Sequence, residues 1–458
     1  MKVTAVLLAA GQGTRMKSDL PKVLHPLCGK PMLWHVLEAL KIATTEKPVV
    51  VVGHGAEAVE KYLGDSADCV LQEPQLGTGH AAMQAESLLK GKTDYVIVTY
   101  ADMPLLRGET FQRLVETQRL NPGPFSLLTV IAEDPRGFGR IIRRSDGTVG
   151  AIVEEYVATP EQQQIKELNV GAYCFRADWL WEALQRIQKN PKKGEYYLTD
   201  IVEIAVKDNL PVQAVIHDDF VETIGINTRV HLSEAEAALR MRINREHMLN
   251  GVSMVNPEVT YIEAGVKIGR DTVIMPNTYL QGKTEVGEAN VIGPNTIVRD
   301  SRIGNRCKVL ASDMEGAILE DDVDMGPFAR LRKGAHLKSH VHMGNFGEVK
   351  DSTLAEGVKM GHFSYIGNAT IGANTNIGAG TITANFDGER KHPTEMGEDV
   401  FIGSDTILIA PVKLGDGART GAGAIVKRDV PEDTLVVGMP ARAIRKVERK
   451  NKKDSHNS

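Results

Sequence analysis

The sequence of 458 residues contains few cysteines, few aromatic residues and no excess of positive charge. Its four cysteines, Cys28, Cys69, Cys174 and Cys307, are far apart and form no CxxC or metal-type spacing. This pattern excludes a disulfide framework and a zinc knuckle, and it favours a reducing cytoplasm. With 54 Lys and Arg against 59 Asp and Glu, the formal net charge is −5, so the chain lacks the broad positive field that sequence-independent nucleic-acid binding requires.

Long hydrophobic runs are also missing. No apolar run approaches the roughly 18 residues that a membrane-spanning helix needs, so we expect no membrane insertion. The opening MKVTAVLLAAG resembles the start of a signal peptide, but it leads into GQGTRMKSDLPK and not into a small-residue cleavage site. We interpret it as a buried first strand and expect a cytoplasmic protein.

Glycine, in contrast, is abundant, with 44 residues, while aromatic residues make up only 5 %. At roughly 150 residues per domain, the length predicts two or three domains. Few aromatic side chains and many glycines argue against an ordinary mixed core along the whole chain. Part of the protein therefore has an unusual core.

Up to about residue 227, short apolar runs alternate with amphipathic stretches. The apolar runs are Val3–Leu8, Val49–Val52, Tyr95–Thr99, Leu127–Ile131, Val170–Phe175 and Val212–Ile216. The helical patterns between the early runs are Met32–Ala43, Ala56–Leu63, Gly79–Leu89 and Gly108–Arg119. This alternation predicts βαβ units and a largely parallel sheet, whose ligands bind beyond the carboxyl ends of the strands.

Residues 229–250 carry a stretch rich in Ala, Glu and Arg, which predicts one long exposed helix between two domains. We read it as a spacer. The predicted organisation is therefore a first domain over 1–228, a helical linker over 229–250 and a second domain over 251–446. The charged residues 447–458 are predicted to form a disordered tail.

From residue 252 onward, aliphatic residues recur at every sixth position. The members of this series are Ile262, Ile268, Ile274, Leu280, Val286, Ile292, Val298, Leu319, Met325, Leu331, Leu337, Met343, Val349, Leu354, Met360, Ile366, Ile371, Ile377, Ile402, Leu408, Leu414 and Val426. Neither a helix nor a simple strand has this period, whereas a hexapeptide repeat does, and it predicts a parallel β-helix of stacked three-sided coils. Residues 383–400 break the period and are predicted to form a loop outside the stack.

A phosphate-binding motif follows the first strand. Gly11 and Gly13 allow backbone N–H groups to approach a phosphate chain, while Arg15 and Lys22 supply positive charge. GxG alone is equally typical of an ordinary strand-to-helix turn, but the combination GxGTRM with PK is far more specific. Asp102 ends the strand that begins at Tyr95, where a carboxylate can hold Mg²⁺ against phosphate oxygens or can instead cap the next helix.

The repeat region carries a second group of polar residues. Arg332, Lys350, His362 and Tyr365 have spacings that bring them together on neighbouring coils. A purely structural β-helix is the alternative, and a single histidine among thirteen is usually structural. His336, His340 and His342 are expected to lie on different faces of the coils, as solvated surface residues and not as a metal site.

The GxGTRM…PK motif with a downstream strand-terminal Asp resembles the sugar-1-phosphate nucleotidyltransferases. QLGTGHA, GFGRI, VEE and GEYYLTD narrow the match. Together with the hexapeptide half, the chain is similar to the family of bifunctional N-acetylglucosamine-1-phosphate uridyltransferases and glucosamine-1-phosphate acetyltransferases. This resemblance implies an α/β Rossmann-like nucleotidyltransferase domain followed by a left-handed parallel β-helix of hexapeptide repeats.

The resemblance also implies the reactions. Glucosamine 1-phosphate is acetylated by acetyl-CoA, and UMP is then transferred from UTP to N-acetylglucosamine 1-phosphate with release of pyrophosphate. Mg²⁺ is the implied cofactor of uridyl transfer, and a homotrimer is the implied assembly. The expected partners are otherwise small-molecule substrates, with no nucleic acid and no membrane.

Site residues follow from the family motifs. For uridyl transfer, the implied catalytic residues are Arg15 and Lys22, and the implied metal ligands are Asp102 and Asn227. The implied nucleotide- and sugar-binding residues are Leu8, Ala9, Gly11, Gly13, Lys22, Gln72, Gly77, Thr78, Tyr100, Gly139, Glu154, Asn169 and Asn227.

For acetyl transfer, the family motif implies that His362 is the general base, with Glu348 orienting its imidazole. The implied substrate-binding residues are Arg332, Lys350, Tyr365, Asn376 and Lys391. The implied acetyl-CoA-binding residues are Asn385, Phe386, Ser404 and Ala422. Three departures from the family pattern affect the coenzyme contacts: Arg390 replaces Asn, Phe386 stands where Tyr is common, and the end reads VVGMPARAIRK.

Two alternatives stay open from the residues. The first is a related sugar nucleotidyltransferase of another specificity, whose β-helix serves assembly or regulation. The second is a regulatory subunit that retains both folds without catalysis. The His362, Lys350 and Tyr365 group argues against the first, and the set of Arg15, Lys22, Asp102 and Asn227 argues against the second.

Overall fold

The computed structural model describes residues 1–191 and 193–447. The predicted charged tail therefore lies outside the described residues from 448 onward. The chain divides into two compact units, Met1–Leu239 and a second that begins at Arg240. Within the described part of the chain, no helix is both long enough and apolar enough to span a membrane.

The first unit is an α/β structure. Its strands are β1 (Val3–Leu8), β2 (Pro26–Leu27), β3 (Lys30–Pro31), β4 (Val49–Val52), β5 (Asp68–Leu71), β6 (Tyr95–Tyr100), β7 (Phe125–Ile131), β8 (Arg140–Arg143), β9 (Val149–Val153), β10 (Glu167–Arg176) and β11 (Gln213–His217). Its helices are α1 (Met32–Ala43), α2 (Ala56–Leu63), α3 (Thr78–Met83), α4 (Glu86–Leu89), α5 (Gly108–Leu120), α6 (Pro160–Gln163), α7 (Ala177–Leu184), α8 (Ile201–Lys207) and α9 (Arg229–Leu249), the last of which continues into the second unit.

The main sheet has the order β11-β7-β10-β6-β1-β4-β5, and β8 and β9 extend it beside β10. Strands β6, β1, β4 and β5 are parallel, as the βαβ pattern predicts. The expectation of a largely parallel sheet is wrong for β10, which runs antiparallel to β6, β7 and β8. A strand that is buried on both faces is apolar whether it runs parallel or antiparallel to its neighbours. Its sequence pattern therefore does not predict its direction in the sheet.

The sheet brings the two ends of the phosphate-binding region together. Strands β1 and β6 are neighbours, with Leu8 paired to Tyr100 at their carboxyl ends. The glycine motif after β1 and Asp102 after β6 therefore lie at the same sheet edge. Hydrophobic clusters cover both faces of the sheet behind this edge.

Helix α9 differs from the exposed spacer that we expected. Ala235 and Asn244 are fully buried. In the first unit, the Glu236 carboxylate accepts a hydrogen bond from the backbone N–H of Cys28 at 2.8 Å. In the second unit, the Asn244 amide donates to the carbonyls of Pro257 and Thr260. Each part of the helix is thus packed into its own unit. The low apolar content of the helix suggested an exposed surface, because contacts made by polar side chains such as Glu236 and Asn244 leave no apolar pattern in the sequence.

The second unit is a parallel β-helix with three faces, each formed by short stacked strands. Face 1 contains Ser253–Met254, Val273–Ile274, Val291–Ile292, Lys308–Val309, Asp324–Met325, His342–Met343, Lys359–Met360, Asn376–Ile377, Phe401–Ile402, Arg419–Thr420, Thr434–Gly438 and Ala441–Lys446. Face 2 contains Tyr261–Ile262, Tyr279–Gln281, Ile297–Arg299, Asp313–Glu315, Arg330–Leu331, Gly347–Lys350, Ser364–Gly367, Ile382–Ala384, Ile407–Ile409 and Ile425–Val426. Face 3 contains Lys267–Ile268, Glu285–Val286, Arg302–Ile303, Ile318–Leu319, His336–Leu337, Thr353–Leu354, Ala369–Ile371, Thr394–Met396 and Val412–Leu414.

The interruption of the six-residue series between Val298 and Leu319 is not a break in the structure. Val298 pairs with Met314, and Lys308 pairs with Asp324, each 16 positions later. By comparison, Val273 pairs with Val291, 18 positions later. Shorter corners reduce the number of residues in a coil, while the strands remain stacked. A search for aliphatic residues at exactly every sixth position therefore misses these coils.

The loop predicted over 383–400 is shorter in the structure. Strand Ile382–Ala384 precedes it and strand Thr394–Met396 follows it, both in register with their neighbours. The excursion is therefore confined to residues 385–393. An isolated bridge between Phe386 and Lys391 closes it.

Neighbouring residues on face 3 offer a direct test of the β-helix core. Leu319 points inward and is 1 % exposed, whereas the preceding Ile318 points outward and is 43 % exposed. We expect Leu319→Ala to lower the free energy of unfolding by about 2–5 kcal/mol, because it leaves a cavity that the stacked coils cannot fill. Urea titration of the full chain, followed by circular dichroism, measures this change. Ile318→Ala is the matched control, and an equal loss in both variants would contradict the inward register.

Candidate active sites

A cavity of about 630 Å³ opens at the carboxyl edge of the sheet in the first unit. Its lining residues come from the ends of β1 and β6, the glycine motif and two later loops. They are Leu8, Ala9, Ala10, Gly11, Gln12, Arg15, Lys22, Val23, Gln72, Gln75, Gly77, Thr78, Ala81, Tyr100, Asp102, Glu195 and Tyr197. The structure therefore brings together most of the residues implied for nucleotide binding.

Lys22 stands at the centre of the polar contacts beside this cavity. Its Nζ donates to Asp102 Oδ2 at 2.5 Å and to Asn227 Oδ1 at 2.9 Å. Arg15 Nη2 donates to the same Asn227 oxygen at 3.0 Å. Two oxygen atoms from distant parts of the sequence thus converge on one cationic position, and a second cation lies beside it.

Gly13 is needed for this arrangement. Its φ of 62° lies in the left-handed region, and a Cβ there would come within 2.8 Å of Lys22 Cβ. Glycine therefore allows Lys22 to pack directly against the loop. Arg229 fixes the far side, because its Nε donates to the carbonyl of Met16 at 3.2 Å.

A second group of cavity residues surrounds Gln72. The Gln72 side chain is buried, and its amide Nε2 donates to the carbonyl of Gly77 at 2.9 Å. Gly77 has a φ of 96°, and a Cβ there would lie 2.6 Å from the carbonyl oxygen of Tyr196. Burial, followed by the charge of Glu154, raises the pKa of Tyr100, while a hydrogen bond with Thr78 opposes the shift. Tyr100 is therefore a neutral hydrogen-bonding group at neutral pH.

Three implied sugar-binding residues are not among those that line the cavity. The backbone N–H of Asn169 donates to the carbonyl of Gly139 at 2.8 Å. The Asn169 amide is engaged with Tyr173 Oη at 2.8 Å. Glu154 accepts a hydrogen bond from Thr199 Oγ1 at 2.9 Å through Oε1.

Several cavity residues had no assigned role from the sequence. Gln12, Gln75, Glu195 and Tyr197 line the cavity. Gln75 belongs to QLGTGHA, and Glu195 and Tyr197 belong to GEYYLTD. The sequence therefore contained these residues in family motifs, but it did not show that they line the cavity. Gln75 Nε2 donates to the carbonyl of Ala10 at 2.7 Å, which ties that motif to the end of β1.

The side-chain oxygens of Asp102 and Asn227 are suitable ligands for a hard divalent cation. A carboxylate and an amide carbonyl are oxygen ligands of the type that Mg²⁺ prefers, and Mg²⁺ commonly uses only one or two protein ligands beside waters and phosphates. The Lys22 ammonium already bridges both oxygens, which demonstrates that they can share one cation. Within the described residues, no group of three or more His, Cys, Asp or Glu side chains is placed to hold a metal ion.

In the second unit, face 2 gathers most of the polar residues predicted for acetyl transfer. Glu348 pairs with Tyr365 on the next coil, and Arg332 Nη1 donates to Glu348 Oε1 at 2.9 Å. Lys350 lies two residues after Glu348 on the same outward side. Arg332, Glu348, Lys350 and Tyr365 therefore form one half-buried cluster on the outer side of the face, which we call the face 2 cluster.

The off-period loop adds Lys391 to this cluster. The side chains of Lys391 and Lys350 meet, and this contact with a second ammonium lowers the pKa of Lys350. The loop is held by Asp387, whose carboxylate accepts from the backbone N–H of Arg390 and from His392 Nε2. Because residue 390 makes this bond through its backbone N–H, the bond does not depend on whether Arg or the family's Asn stands there.

Asn385, at the start of this loop, is anchored next to the face 2 cluster. Its Nδ2 donates to Asn368 Oδ1 at 2.7 Å. Phe386 follows it and is 61 % exposed. The missing tyrosine hydroxyl at this position therefore removes a group that would face solvent in a single chain.

His362 lies at the corner between faces 1 and 2, on the coil that also carries Tyr365. Backbone hydrogen bonds stack Ala379, Ser404 and Ala422 at the same corner of the following coils. We call these four residues the corner strip. Since adjacent strands are about 4.8 Å apart, the strip leads away from His362 in regular steps. His362, Ser404 and Ala422 are all exposed.

Two expected relationships are not found within one chain. Asn376 lies on face 1, paired with Lys359 and Phe401, and is not part of the face 2 cluster. Among the described residues, no hydrogen bond joins Glu348 to His362, and the partner of the Glu348 carboxylate is Arg332. The spacing of residues along the sequence predicted which coil each one belongs to, but not which face of the β-helix it lies on.

The three histidines that the sequence places close together, His336, His340 and His342, lie on different parts of the β-helix surface. His336 is on face 3 beside Glu320, and His342 is on face 1 beside Asp324. His340 occupies a corner with a φ of 61°. They do not converge on a common point.

A nucleotide-type cleft on an α/β unit, followed by a hexapeptide β-helix with a clustered polar face, defines a two-part transferase. Comparisons with known families agree. Residues 5–189 match the MobA-like NTP transferase domain, and residues 265–300 and 393–428 match the bacterial transferase hexapeptide repeats.

Full-length relatives narrow the class. Bifunctional protein GlmU of Streptococcus agalactiae serotype V is 44 % identical over 99 % of both chains. GlmU of Geobacillus sp. is 46 % identical over 98 % of this chain and 97 % of its own. GlmU of Listeria monocytogenes is 45 % identical over 94 % of both chains.

The chain belongs to the GlmU family of bifunctional transferases. The resemblance drawn from its motifs is confirmed, and so are the fold class and the pair of activities: N-acetylglucosamine-1-phosphate uridyltransferase and glucosamine-1-phosphate acetyltransferase. Its substrates are accordingly sugar phosphates, a nucleotide and an acyl-CoA.

The carboxyl of Asp200, next to the sugar-side residues, gives a pH-dependent prediction. Burial, with added repulsion from Glu203 and Glu154, raises its pKa to about 6. The folded state therefore holds this proton more tightly than the unfolded state, and stability falls as the pH rises from about 4 through about 6. We expect Asp200→Asn to raise the thermal midpoint near neutral pH and to leave it unchanged near pH 4.

Thermal melts of the full chain across this pH range provide the measurement. Asp65→Asn is the control, since Asp65 is an exposed carboxylate of the same unit. A stabilisation by Asp200→Asn of the same size at both ends of the range would contradict the raised pKa.

Proposed function

We propose that the cavity of the first unit carries uridyl transfer and that the face 2 cluster with the corner strip carries acetyl transfer. Glucosamine 1-phosphate is acetylated first, and the product then reacts with UTP. The carrying observation is the pair of facing ammonium groups, Lys350 and Lys391, with Arg332 close by. Arg332 is paired with Glu348 at 2.9 Å and Lys350 lies 3.8 Å from Asp351, whereas Lys391 has no ion-pair partner among the described residues. The cluster therefore holds one cation more than its carboxylates balance, which favours an anionic ligand and which a β-helix that served only assembly does not explain.

Uridyl transfer proceeds by in-line attack of the sugar phosphate oxygen on the α-phosphorus of UTP, with pyrophosphate as the leaving group. The nucleophile is already ionised, so no dedicated base is required. Arg15 and Lys22 neutralise phosphate charge as it moves to the leaving group, and the glycine loop supplies backbone N–H donors. Gln72 and Gly77 contact the uracil, while Gly139, Glu154 and Asn169 hold the acetylated sugar.

Asp102 and Asn227 hold Mg²⁺ in this proposal. When bound, Mg²⁺ supplies charge neutralisation at the phosphate oxygens. Lys22 then pairs with phosphate in place of the Asp102 and Asn227 oxygens. The support for this assignment is the convergence of both side chains on one cationic position.

In acetyl transfer, the amine of glucosamine 1-phosphate attacks the thioester carbonyl of acetyl-CoA, and coenzyme A thiolate leaves. His362 accepts the proton that the amine loses, a task suited to an imidazole. Arg332, Lys350 and Lys391 bind the sugar phosphate, and Tyr365 positions the sugar. Ser404 and Ala422 place acetyl-CoA along the corner strip, and Asn385 and Phe386 add contacts from the loop.

A homotrimer in the cytoplasm completes the proposal. His362 and Ser404 are exposed in the single chain, and Asn376 lies on another face from the face 2 cluster. Association of copies would enclose the corner strip and bring face 1 of one copy to the cluster of the next. The four cysteines form no disulfide, which fits a reducing compartment.

The assignment of Asp102 is tested by separating the two activities. We expect Asp102→Ala to lower uridyl transfer by at least about 100-fold, since charge stabilisation of this kind is worth that much or more. Acetyl transfer should stay at the wild-type rate. Pyrophosphate release from UTP and N-acetylglucosamine 1-phosphate, and thiol release from acetyl-CoA, report the two rates. Loss of both activities in a folded variant would refute the division.

The reciprocal substitution is His362→Ala. Removal of a general base commonly costs about 10²- to 10⁴-fold, so acetyl transfer should fall by such a factor while uridyl transfer is unchanged. His340→Ala is the matched control, because His340 also occupies an exposed corner of the β-helix. An undiminished acetylation rate in the His362 variant would show that another group takes the proton.

A further inference from the structure

The buried carboxylate of Glu222 belongs to neither predicted site. It is only 3 % exposed and lies in the 3₁₀ turn Phe220–Thr223, which follows the edge strand β11. An ionised side chain at this depth needs several donors to offset its lost hydration. Glu222 is also five residues before Asn227, the amide that shares a cation with Asp102.

All donors that reach Glu222 from outside its own strand and turn come from one place. Arg107 contributes its backbone N–H at 3.1 Å and its Nε at 2.8 Å. Thr110 Oγ1 donates at 2.7 Å. His217 Nε2, at the end of β11, is 3.4 Å from the carboxylate. Burial is the largest influence on the pKa of Glu222 and raises it, but the contacts with His217, Thr110 and Arg107 together hold it below its usual value.

Arg107 and Thr110 lie at the start of α5, which is directly preceded by the loop that carries Asp102. A second bond joins the same two segments, since the N–H of Ile226 donates to the carbonyl of Asp102 at 2.9 Å. Among the described residues, the hydrogen bonds and ion pairs from residues 219–226 to more distant parts of the chain all go to residues 102–110.

The topology explains why such a tie is required. Asp102 follows β6 near the middle of the sheet, whereas Asn227 follows a segment that begins at the edge strand β11. Two strands, β10 and β7, separate β6 from β11. No shared strand or helix sets the distance between the two oxygen ligands. Lys22 bridges the two side chains, and Arg15 bonds Asn227, but both are cations that pair with phosphate in the proposed reaction. The contacts between the two segments are the ones that stay in place throughout.

We infer that Glu222 is a positioning residue for uridyl transfer, which fixes the Asn227 segment to the Asp102 segment and thereby sets the spacing of the two cation ligands. This inference rests on the proposed role of Asp102 and Asn227. Glu222 itself touches no substrate. Residues that orient metal ligands from behind typically change metal affinity by about 10- to 100-fold when removed.

The full chain is tested as Glu222→Ala, Glu222→Gln, the control Glu116→Ala on the exposed side of α5, and Asp102→Ala. For Glu222→Ala we expect the Mg²⁺ concentration for half-maximal uridyl transfer to rise about 10-fold. The rate should recover at saturating Mg²⁺. Binding of Mn²⁺, measured by electron paramagnetic resonance without substrates, should weaken by a similar factor. Acetyl transfer should be unchanged.

Glu222→Gln should show a smaller shift, because its amide oxygen still accepts from Thr110 and from the Arg107 N–H. Thr110→Val, which removes one donor, serves if the alanine variant does not fold, and it should shift both metal readouts in the same direction. Glu116→Ala should match the wild type.

A lowered thermal midpoint with unchanged Mg²⁺ and Mn²⁺ dependence would overturn the inference and leave Glu222 a stability residue only. If Asp102→Ala also left both metal readouts unchanged, the metal assignment itself would fail. Weakened metal binding in Asp102→Ala but in none of the Glu222 and Thr110 variants would refute the positioning role alone.

Discussion

A chain of net charge −5 that acts on phosphate-rich substrates has to concentrate its cations where those substrates bind. Both proposed sites obey this electrostatic constraint. In the first unit, Lys22 and Arg15 converge on the oxygens of Asp102 and Asn227. In the second, Lys350 and Lys391 meet beside Arg332. In the absence of substrate, carboxylates of the same clusters balance part of this charge: Asp102 beside Lys22, Glu348 beside Arg332 and Asp351 beside Lys350. The surrounding folds hold these groups in place.

The two units provide that rigidity in different ways. In the α/β unit, the carboxyl ends of neighbouring strands place separate loops at one sheet edge, and each loop is then tied by buried polar contacts. In the β-helix, each coil is held by the coils on either side, so a side chain is positioned by its place in the stack. The first arrangement suits a cleft around a nucleotide, and the second suits an extended ligand along a corner.

Much of this could be predicted from the sequence where the signal is local. The glycine motif, the strand-terminal Asp102 and the six-residue repeat each depend on a few adjacent residues and their backbone requirements. What the sequence could not predict was direction and face. The antiparallel course of β10, the placement of Asn376 on face 1 and the meeting of Lys391 with Lys350 depend on long-range pairing. Glu222 escaped notice because a single glutamate in a short turn carries no periodic signal.

The sharing of α9 between the two units has a practical consequence for dissecting the protein. A first-domain fragment that ends near residue 228, as the sequence suggests, lacks Glu236. The carboxylate of Glu236 accepts a hydrogen bond from the backbone N–H of Cys28. A fragment that starts at 251 leaves out Asn244, which satisfies two carbonyls at the base of the β-helix. Each half, if produced separately, therefore has to carry its own copy of this helix, so that the two fragments overlap in sequence.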